Sequence, residues 1–211
     1  IELNSDGEFT SFLGAPRVTF RFADMIWKQI STKTQRDKMI QFVPTEFNNL
    51  DVDPSGFMFA TTQTKSTKPI QKLNPMGLNI LKSCEAYEPV GDLIYTFNGE
   101  SMFSDIKSGN AGTYSALDAT KGRIFTYDDD GHLLYVFGQI GQQNGTFRTP
   151  VAIDYLDDKI LVLDRDQALL TVFEPTLFGS VINEAVKMQY EGKTEEAYKQ
   201  WEKVLKLNTN Y

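Results

Sequence analysis

Short stretches in which apolar and polar residues alternate, separated by polar turns that carry glycine, run through most of the chain, while helical periodicity is confined to its last part. Pro69-Ile70-Gln71-Lys72-Leu73 and Arg123-Ile124-Phe125-Thr126-Tyr127 alternate with period two and are rich in β-branched and aromatic residues, which predicts strands. One turn design recurs, as Leu3-Asn4-Ser5-Asp6-Gly7, Leu73-Asn74-Pro75-Met76-Gly77 and Tyr127-Asp128-Asp129-Asp130-Gly131. Its Asn or Asp side chain can bond the backbone that follows, and its glycine accepts a positive φ at little cost, so each copy predicts a hairpin. The outer strands that follow these turns fall at residues 9–14, 78–82 and 133–138, the second being a shorter equivalent.

Upstream of each turn the pattern offers two more strands, at 47–53 and 56–62, at 102–107 and 112–118, and at 151–155 and 159–164. The result is a repeating unit of four short strands, at a spacing of ~40 to 50 or more residues that suits the blades of a β-propeller. A β-sandwich would also give many short strands, but it would not readily repeat the same strand-turn-strand text.

The motifs Thr149-Pro150-Val151-Ala152-Ile153-Asp154, Lys159-Ile160-Leu161-Val162-Leu163-Asp164 and Arg123-Ile124-Phe125-Thr126-Tyr127-Asp128, with Asp130-Gly131 and Phe137-Gly138, resemble the NHL repeat. The resemblance covers residues 1–176 in fragments, is clearest over 103–138, and departs at Glu174-Pro175-Thr176, where the fourth turn lacks its glycine. It implies a mainly β fold, a section of a β-propeller of about six four-stranded blades. On that frame the chain holds the two outer strands of one blade, two full blades and a last unit that runs into helix. The missing blades are expected upstream of Ile1, where Ile1-Glu2-Leu3 reads as the end of a strand entering a turn.

Two segments break the strand pattern. Residues 23–40 place Ile26, Ile30, Met39 and Ile40 in a polar background, which predicts a helical insertion anchored by Trp27. Residues 178–211 predict two helices, the first carrying Val181, Ile182, Ala185, Val186 and Met188, the second Ala197, Trp201, Val204 and Leu205, with Gly192-Lys193 between them. This hairpin is similar to one tetratricopeptide unit at Ala185, Gly192, Ala197, Trp201, Leu205 and Leu207, and departs from it at Val181 and Thr209. A single unit of that kind cannot bury its own apolar face, so either further repeats follow Tyr211 or the hairpin docks on the sheets. The expected domains are therefore 1–177 and 178–211.

Composition narrows the chemistry. A hydrophobic share of 41% is that of a folded globular chain, and a formal net charge of -7 with no basic block argues against nucleic acid as a partner. No apolar run is long enough to span a membrane. Cys84 is the single cysteine, which excludes an intrachain disulfide and a multi-cysteine zinc site. The single histidine, His132, sits in a turn, reads as an exposed turn residue, and leaves a serine or cysteine triad without a placed base. Asp51-Val52-Asp53-Pro54-Ser55-Gly56 begins like a calcium loop but has Thr62 where the bidentate glutamate belongs, and it reads as a turn. The sequence calls for no metal and no cofactor.

Ligands of such folds are expected at inner-strand starts and the loops nearest the axis, where Asn48, Asn49, Asp105 and Asp154 lie; the residues chosen as ligand-binding are Asn49, Asp105, Arg148 and Arg165. The expected function is a non-catalytic binding or scaffold protein that engages a protein partner or a small ligand such as a carbohydrate. The resemblance extends to bacterial extracytoplasmic propellers with trailing helical repeats, often surface-attached and sometimes linked to carbohydrate uptake. The alternative is a lactonase-like hydrolase whose divalent metal would be completed by the missing blades. An RNA-binding propeller, the third reading, needs a basic face.

Overall fold

Asn4, Asp53, Asn74 and Asp128 turn the chain in one and the same way. The side-chain oxygen of each accepts the amides two and four residues on, as in Asp128 Oδ1 with Asp130 N at 3.0 Å and His132 N at 2.8 Å. The third residue on is a glycine, at φ +80°, +84°, +73° and +86° in chain order, the left-handed region where a β-carbon would be strained. The three hairpins expected from the sequence are present, and Asp53 makes a fourth copy between two inner strands.

The computed structural model describes residues 2–11, 46–62, 68–82, 88–92 and 99–211. The chain divides into two compact units, Ile1–Thr45 and Glu46–Tyr211. In the first, β1 (Glu2–Leu3) pairs with β2 (Phe9–Ser11) around the Asn4 turn. The insertion expected at 23–40 with Trp27, and Cys84, lie outside the described residues.

The second unit holds three antiparallel sheets, each meandering in chain order. The first is β3 (Asn49–Val52), β4 (Met58–Thr61) and β5 (Ile70–Leu73). The second is β6 (Phe103–Ser108), β7 (Tyr114–Asp118), β8 (Arg123–Tyr127) and β9 (Leu133–Phe137). The third is β10 (Pro150–Leu156), β11 (Lys159–Asp164) and β12 (Leu169–Phe173). Only the second sheet has four full strands among the described residues. In the first, the fourth strand shrinks to a bridge between Leu73 and Asn79, with Ile80 N bonding Lys72 O at 2.7 Å. In the third it is replaced by helix, because Glu174-Pro175-Thr176 has no turn glycine and Thr176 instead caps a helix, its Oγ1 accepting Gly179 N at 3.2 Å.

The sheets lie side by side with their first strands adjacent, β6 touching both β3 and β10. Strict alternation makes the middle sheet two-faced. Ile106, Ala116, Phe125, Tyr114 and Tyr127 point to the first sheet and pack with Phe59 and Ile70. Leu117 and Ile124 point to the third and pack with Ile153, Ile160, Val162 and Phe147. The first interface is aromatic, with Phe103 and Phe125 edge to face at 5.9 Å and Tyr114 stacked on Tyr127 at 5.3 Å. The second is mainly aliphatic.

Two helices close the chain, α1 (Leu177–Tyr190) and α2 (Thr194–Leu207), and they pack on each other. Their shared apolar side, with Ile182, Val186 and Val204 fully or nearly fully buried, docks on Leu134 and Tyr135 of β9. Tyr211 Oη donates to Leu134 O at 2.8 Å, and Tyr135 Oη to Asn183 Oδ1 at 3.1 Å. The hairpin docks on a sheet. No described helix is long and apolar enough to cross a membrane.

Leu117 is fully buried between the second and third sheets, whereas Leu156 is 56% exposed. Leu117→Ala is expected to cost about 3 kcal/mol and Leu156→Ala less than about 1 kcal/mol, compared by urea denaturation.

Candidate functional site

The inner strands carry the polar residues that the sequence singles out. Asn49 opens β3 and Asp105 lies two residues into β6, and the structure brings them together, with Asn49 Nδ2 2.5 Å from Asp105 Oδ1. The same oxygen accepts Ile106 N at 2.8 Å, and Asp105 Oδ2 accepts Ile153 N of β10 at 2.7 Å. One buried carboxylate thus ties three strands from three sheets. Burial pushes its pKa up, and the two backbone amides offset that only in part. Asn48 is used in a similar way, its Nδ2 donating to Phe103 O at 2.9 Å.

A second set lies along the same strands. Asp51 accepts Ser108 N at 2.8 Å and Ser108 Oγ through Oδ2, and Lys107 Nζ at 2.9 Å through Oδ1; Lys107 also stands 3.4 Å from Asp154. Burial alone would raise the pKa of Asp51, but the Ser108 hydroxyl and amide and the Lys107 ammonium outweigh it, and the net shift is downward. Lys107 is raised in turn, first by its hydrogen bond to Asp51.

Arg148 and Arg165 form a different group, on the loops at the ends of β10 and β11. Buried Asp164 organises those loops, accepting Arg148 N at 2.6 Å, Thr149 N at 3.1 Å and Gln167 N at 2.9 Å. Arg148 is therefore held by its backbone, and its side chain is exposed. Arg165 Nε meets Asp166 Oδ1 at 3.1 Å on the surface. Among the described residues, no hydrogen bond or ion pair links these arginines to Asn49 or Asp105.

No group of three or more His, Cys, Asp or Glu side chains among the described residues is placed to hold a metal ion. In the segment that starts like a calcium loop, Asp53 is turned to the amides of Ser55 and Phe57 while Asp51 is turned to Lys107 and Ser108. His132 is an exposed turn residue, with Nδ1 3.0 Å from Asp128 Oδ2.

The sequence reading missed a cleft of about 360 Å³ at the junction of β9, β12 and the start of α1. Tyr135, Phe137, Phe173 and Phe178 give it an aromatic wall with Pro175 beside them, and Asp158, Glu174 and Thr176 complete the polar part of the lining. Phe137 and Phe173 lie 4.9 Å apart, centroid to centroid. Tyr135 and Asp158 also line a polar hollow of about 300 Å³ that reaches Asn110, Tyr155 and Asn183. Behind it Ser115 Oγ bonds both Thr126 Oγ1 and Tyr155 Oη at 2.6 Å, and burial raises the pKa of Tyr155. The sequence signal available was aromatics at 135 and 137 on one strand face, with 173 and 178 flanking a turn without glycine.

Gly179 borders the cleft from the third position of α1. Glycine costs about 1 kcal/mol relative to alanine inside a helix. A β-carbon here would meet nothing closer than Pro175 Cβ at 3.6 Å and Thr176 Oγ1 at 3.7 Å. Neither backbone conformation nor close packing demands glycine at this place.

Two outcomes follow for the inner strands. Asp105→Ala leaves Ile153 N and the Asn49 amide without their acceptor and is expected to cost about 2–4 kcal/mol at neutral pH by chemical denaturation, from about 1–3 kcal/mol per stranded group. Asp51 has a folded pKa below the ordinary value of an aspartate, so the stability it supplies is present above that ordinary value and is lost as pH falls through the folded pKa. Asp51→Asn is expected to cost about 1–3 kcal/mol at neutral pH, with a loss that shrinks to nothing at pH values well below that range, read from urea midpoints across pH.

No family model matches the chain, and no curated protein matches it. Solved structures do. A computationally designed protein, Ika4, aligns at 14% identity with a TM-score of 0.39 over 59% of this chain and 62% of its own. A protein of unknown function from Bacteroides caccae aligns at 18% identity with a TM-score of 0.42 over 61% and 42%. A catalytically inactive virginiamycin B lyase from Staphylococcus aureus, solved with quinupristin, aligns at 13% identity with a TM-score of 0.29 over 64% and 57%. The chain spans less than two thirds of each of these structures, and likenesses of this strength carry no argument about its function.

Proposed function

We propose that this chain is a section of an NHL-type β-propeller with a tetratricopeptide-like hairpin docked on its rim, and that it is a non-catalytic binding protein whose small ligand sits in the cleft between sheets and hairpin. The observation that carries the binding half is Gly179: a helix position that has room for a side chain and carries none, beside an aromatic wall. The repeat half is supported by the shared turn geometry and by three sheets with adjacent first strands.

The lining fits a ring with one apolar face and hydroxyls at its edge, such as a sugar. Phe137, Phe173 and Phe178 would take the C–H face, while Asp158 and Thr176 would take hydroxyls. The hydrolase alternative asks Asn49 and Asp105 to turn their oxygens toward a cation, but Asn49 Oδ1 accepts Leu50 N at 2.7 Å and the Asp105 oxygens accept Asn49 Nδ2, Ile106 N and Ile153 N.

Calorimetric titration of the chain with glucose, N-acetylglucosamine, maltose and cellobiose tests the proposal. At least one is expected to bind, and Gly179→Leu, which fills the cleft, is expected to weaken that binding about tenfold or more, or about 1.4 kcal/mol. Gly179→Ala should raise stability by about 0.5–1 kcal/mol, since a β-carbon there meets no atom closer than 3.6 Å. Binding that is indifferent to Gly179→Leu, or heat from none of the four sugars, would sink the proposal.

A further inference from the structure

The polar hollow that adjoins the cleft is lined by three elements of the second unit: the turn between β6 and β7, the turn between β10 and β11, and the face of α1 that carries Ser180, Asn183, Glu184 and Lys187. These elements are fixed against one another. Asn110 Nδ2 joins the two turns by a contact to Asp157 O at 3.4 Å. Tyr190, at the end of α1, packs so closely on the first turn that a β-carbon on Gly112 would stand 2.7 Å from its ring. Tyr155, bonded to Ser115, and Tyr135, bonded to Asn183, complete the lining.

Each of the two turns holds a residue in backbone it disfavours. Ala111 is at φ +53° and Asp157 at φ +56°, the left-handed region in which a β-carbon is strained. Among the described residues the other such non-glycine is Ala168, which does not line the hollow. Strain of this kind persists where the surroundings impose it, and it clusters at binding sites.

The polar lining is also uncommitted. Asp51, Asp105, Asp118 and Asp164 are engaged by backbone amides or an ammonium group. The side chains of Asp157, Asp158, Ser180, Glu184 and Lys187, by contrast, make no hydrogen bond or ion pair with a described residue. Tyr135 and Asp158 line both the hollow and the cleft, so a ligand seated in one reaches the other. At about 300 Å³ and about 360 Å³, each space lies at the lower end of the ~300–1,000 Å³ of ligand sites and suits one ring-sized group.

We propose that the hollow is a second carbohydrate subsite, and that the ligand is therefore an oligosaccharide of at least two hexose rings with its glycosidic link beside Tyr135 and Asp158. This rests on the reading of the cleft as a sugar site. One ring lies on the aromatic wall of the cleft. The next enters the hollow, where its hydroxyls donate to the carboxylates of Asp157 and Glu184 and accept from Lys187 Nζ.

Calorimetric titration of the chain with glucose, maltose and cellobiose at millimolar concentrations tests the second subsite. At least one disaccharide is expected to bind about tenfold or more tightly than glucose, through added hydrogen bonds that each contribute about three- to tenfold. Ser180→Phe, at an exposed position of α1, fills the hollow and should reduce disaccharide affinity to that of glucose while leaving glucose unchanged, with circular dichroism as the check on folding. Lys187→Met keeps the length of the side chain and removes its donor, and should weaken the disaccharide about three- to tenfold and glucose not at all. Gly179→Leu, in the cleft, should weaken both sugars. Disaccharides that bind no more tightly than glucose, or that ignore Ser180→Phe and Lys187→Met, would overturn the second subsite and leave the cleft as a site for one ring. Hollow variants that weaken glucose and disaccharide alike would overturn it too. An unsubstituted chain that binds none of the sugars would remove the reading of the cleft, and the second subsite with it.

Discussion

Three sheets cannot stand side by side in a fixed order unless something sets the height of one first strand against the next, and apolar packing alone leaves that height loose. The Asp105 carboxylate sets it. It faces Asn49 in the preceding sheet and the Ile153 amide in the following one, and it does so at 7% exposure. Burying a charge is costly, as the upward displacement of its pKa records, and the cost is offset only because its oxygens find donors in the right places. A slip of one residue in any of the three strands would turn those donors away and exchange the buried face for the other.

The ionic contacts of Asp51, Lys107 and Asp154 extend this arrangement along the same strands, and Asp118 and Asp164 repeat it at the strand ends. Each of the latter is fully buried at the last residue of a second strand and gathers loop amides: Asp118 takes Thr120 and Lys121, Asp164 takes Arg148, Thr149 and Gln167. Desolvation works against ionisation of Asp164, yet the amides prevail and its pKa lies low. Acidic residues that look in sequence like candidates for chemistry are thus engaged in fixing backbone, which is why an acidic chain need not be a metal-binding one.

What was legible in the sequence was local. The Asn/Asp-to-Gly turns dictate their own geometry within five residues, and strand alternation names the core without reference to the rest of the chain. Asn49 and Asp105 could be placed on inner strands by the repeat, and the repeat also explains why they meet. Arg148 and Arg165 could not be sorted from them, because both regions are loop-proximal in sequence and only the Asp164 amide contacts show that Arg148 is gripped by its backbone. The cleft was illegible for a different reason. Its walls come from β9, β12 and α1, and the contact that positions α1, Tyr135 with Asn183, joins residues far apart in the chain.

The missing glycine after β12 has consequences beyond the loss of a fourth strand. With Thr176 capping a helix at once, the chain leaves the third sheet and crosses back to the second, where α1 and α2 cover β9 and Tyr211 bonds the carbonyl of Leu134. The helices therefore cover the outer strand of the middle sheet and not β12. Because α1 must start beside β12 yet pack on β9, its first turn spans the gap between two sheets without filling it. Phe137, Phe173 and Phe178 face that gap from three elements, and Gly179 borders it without a side chain. A single change in turn chemistry thus accounts for the docked hairpin and the cleft together.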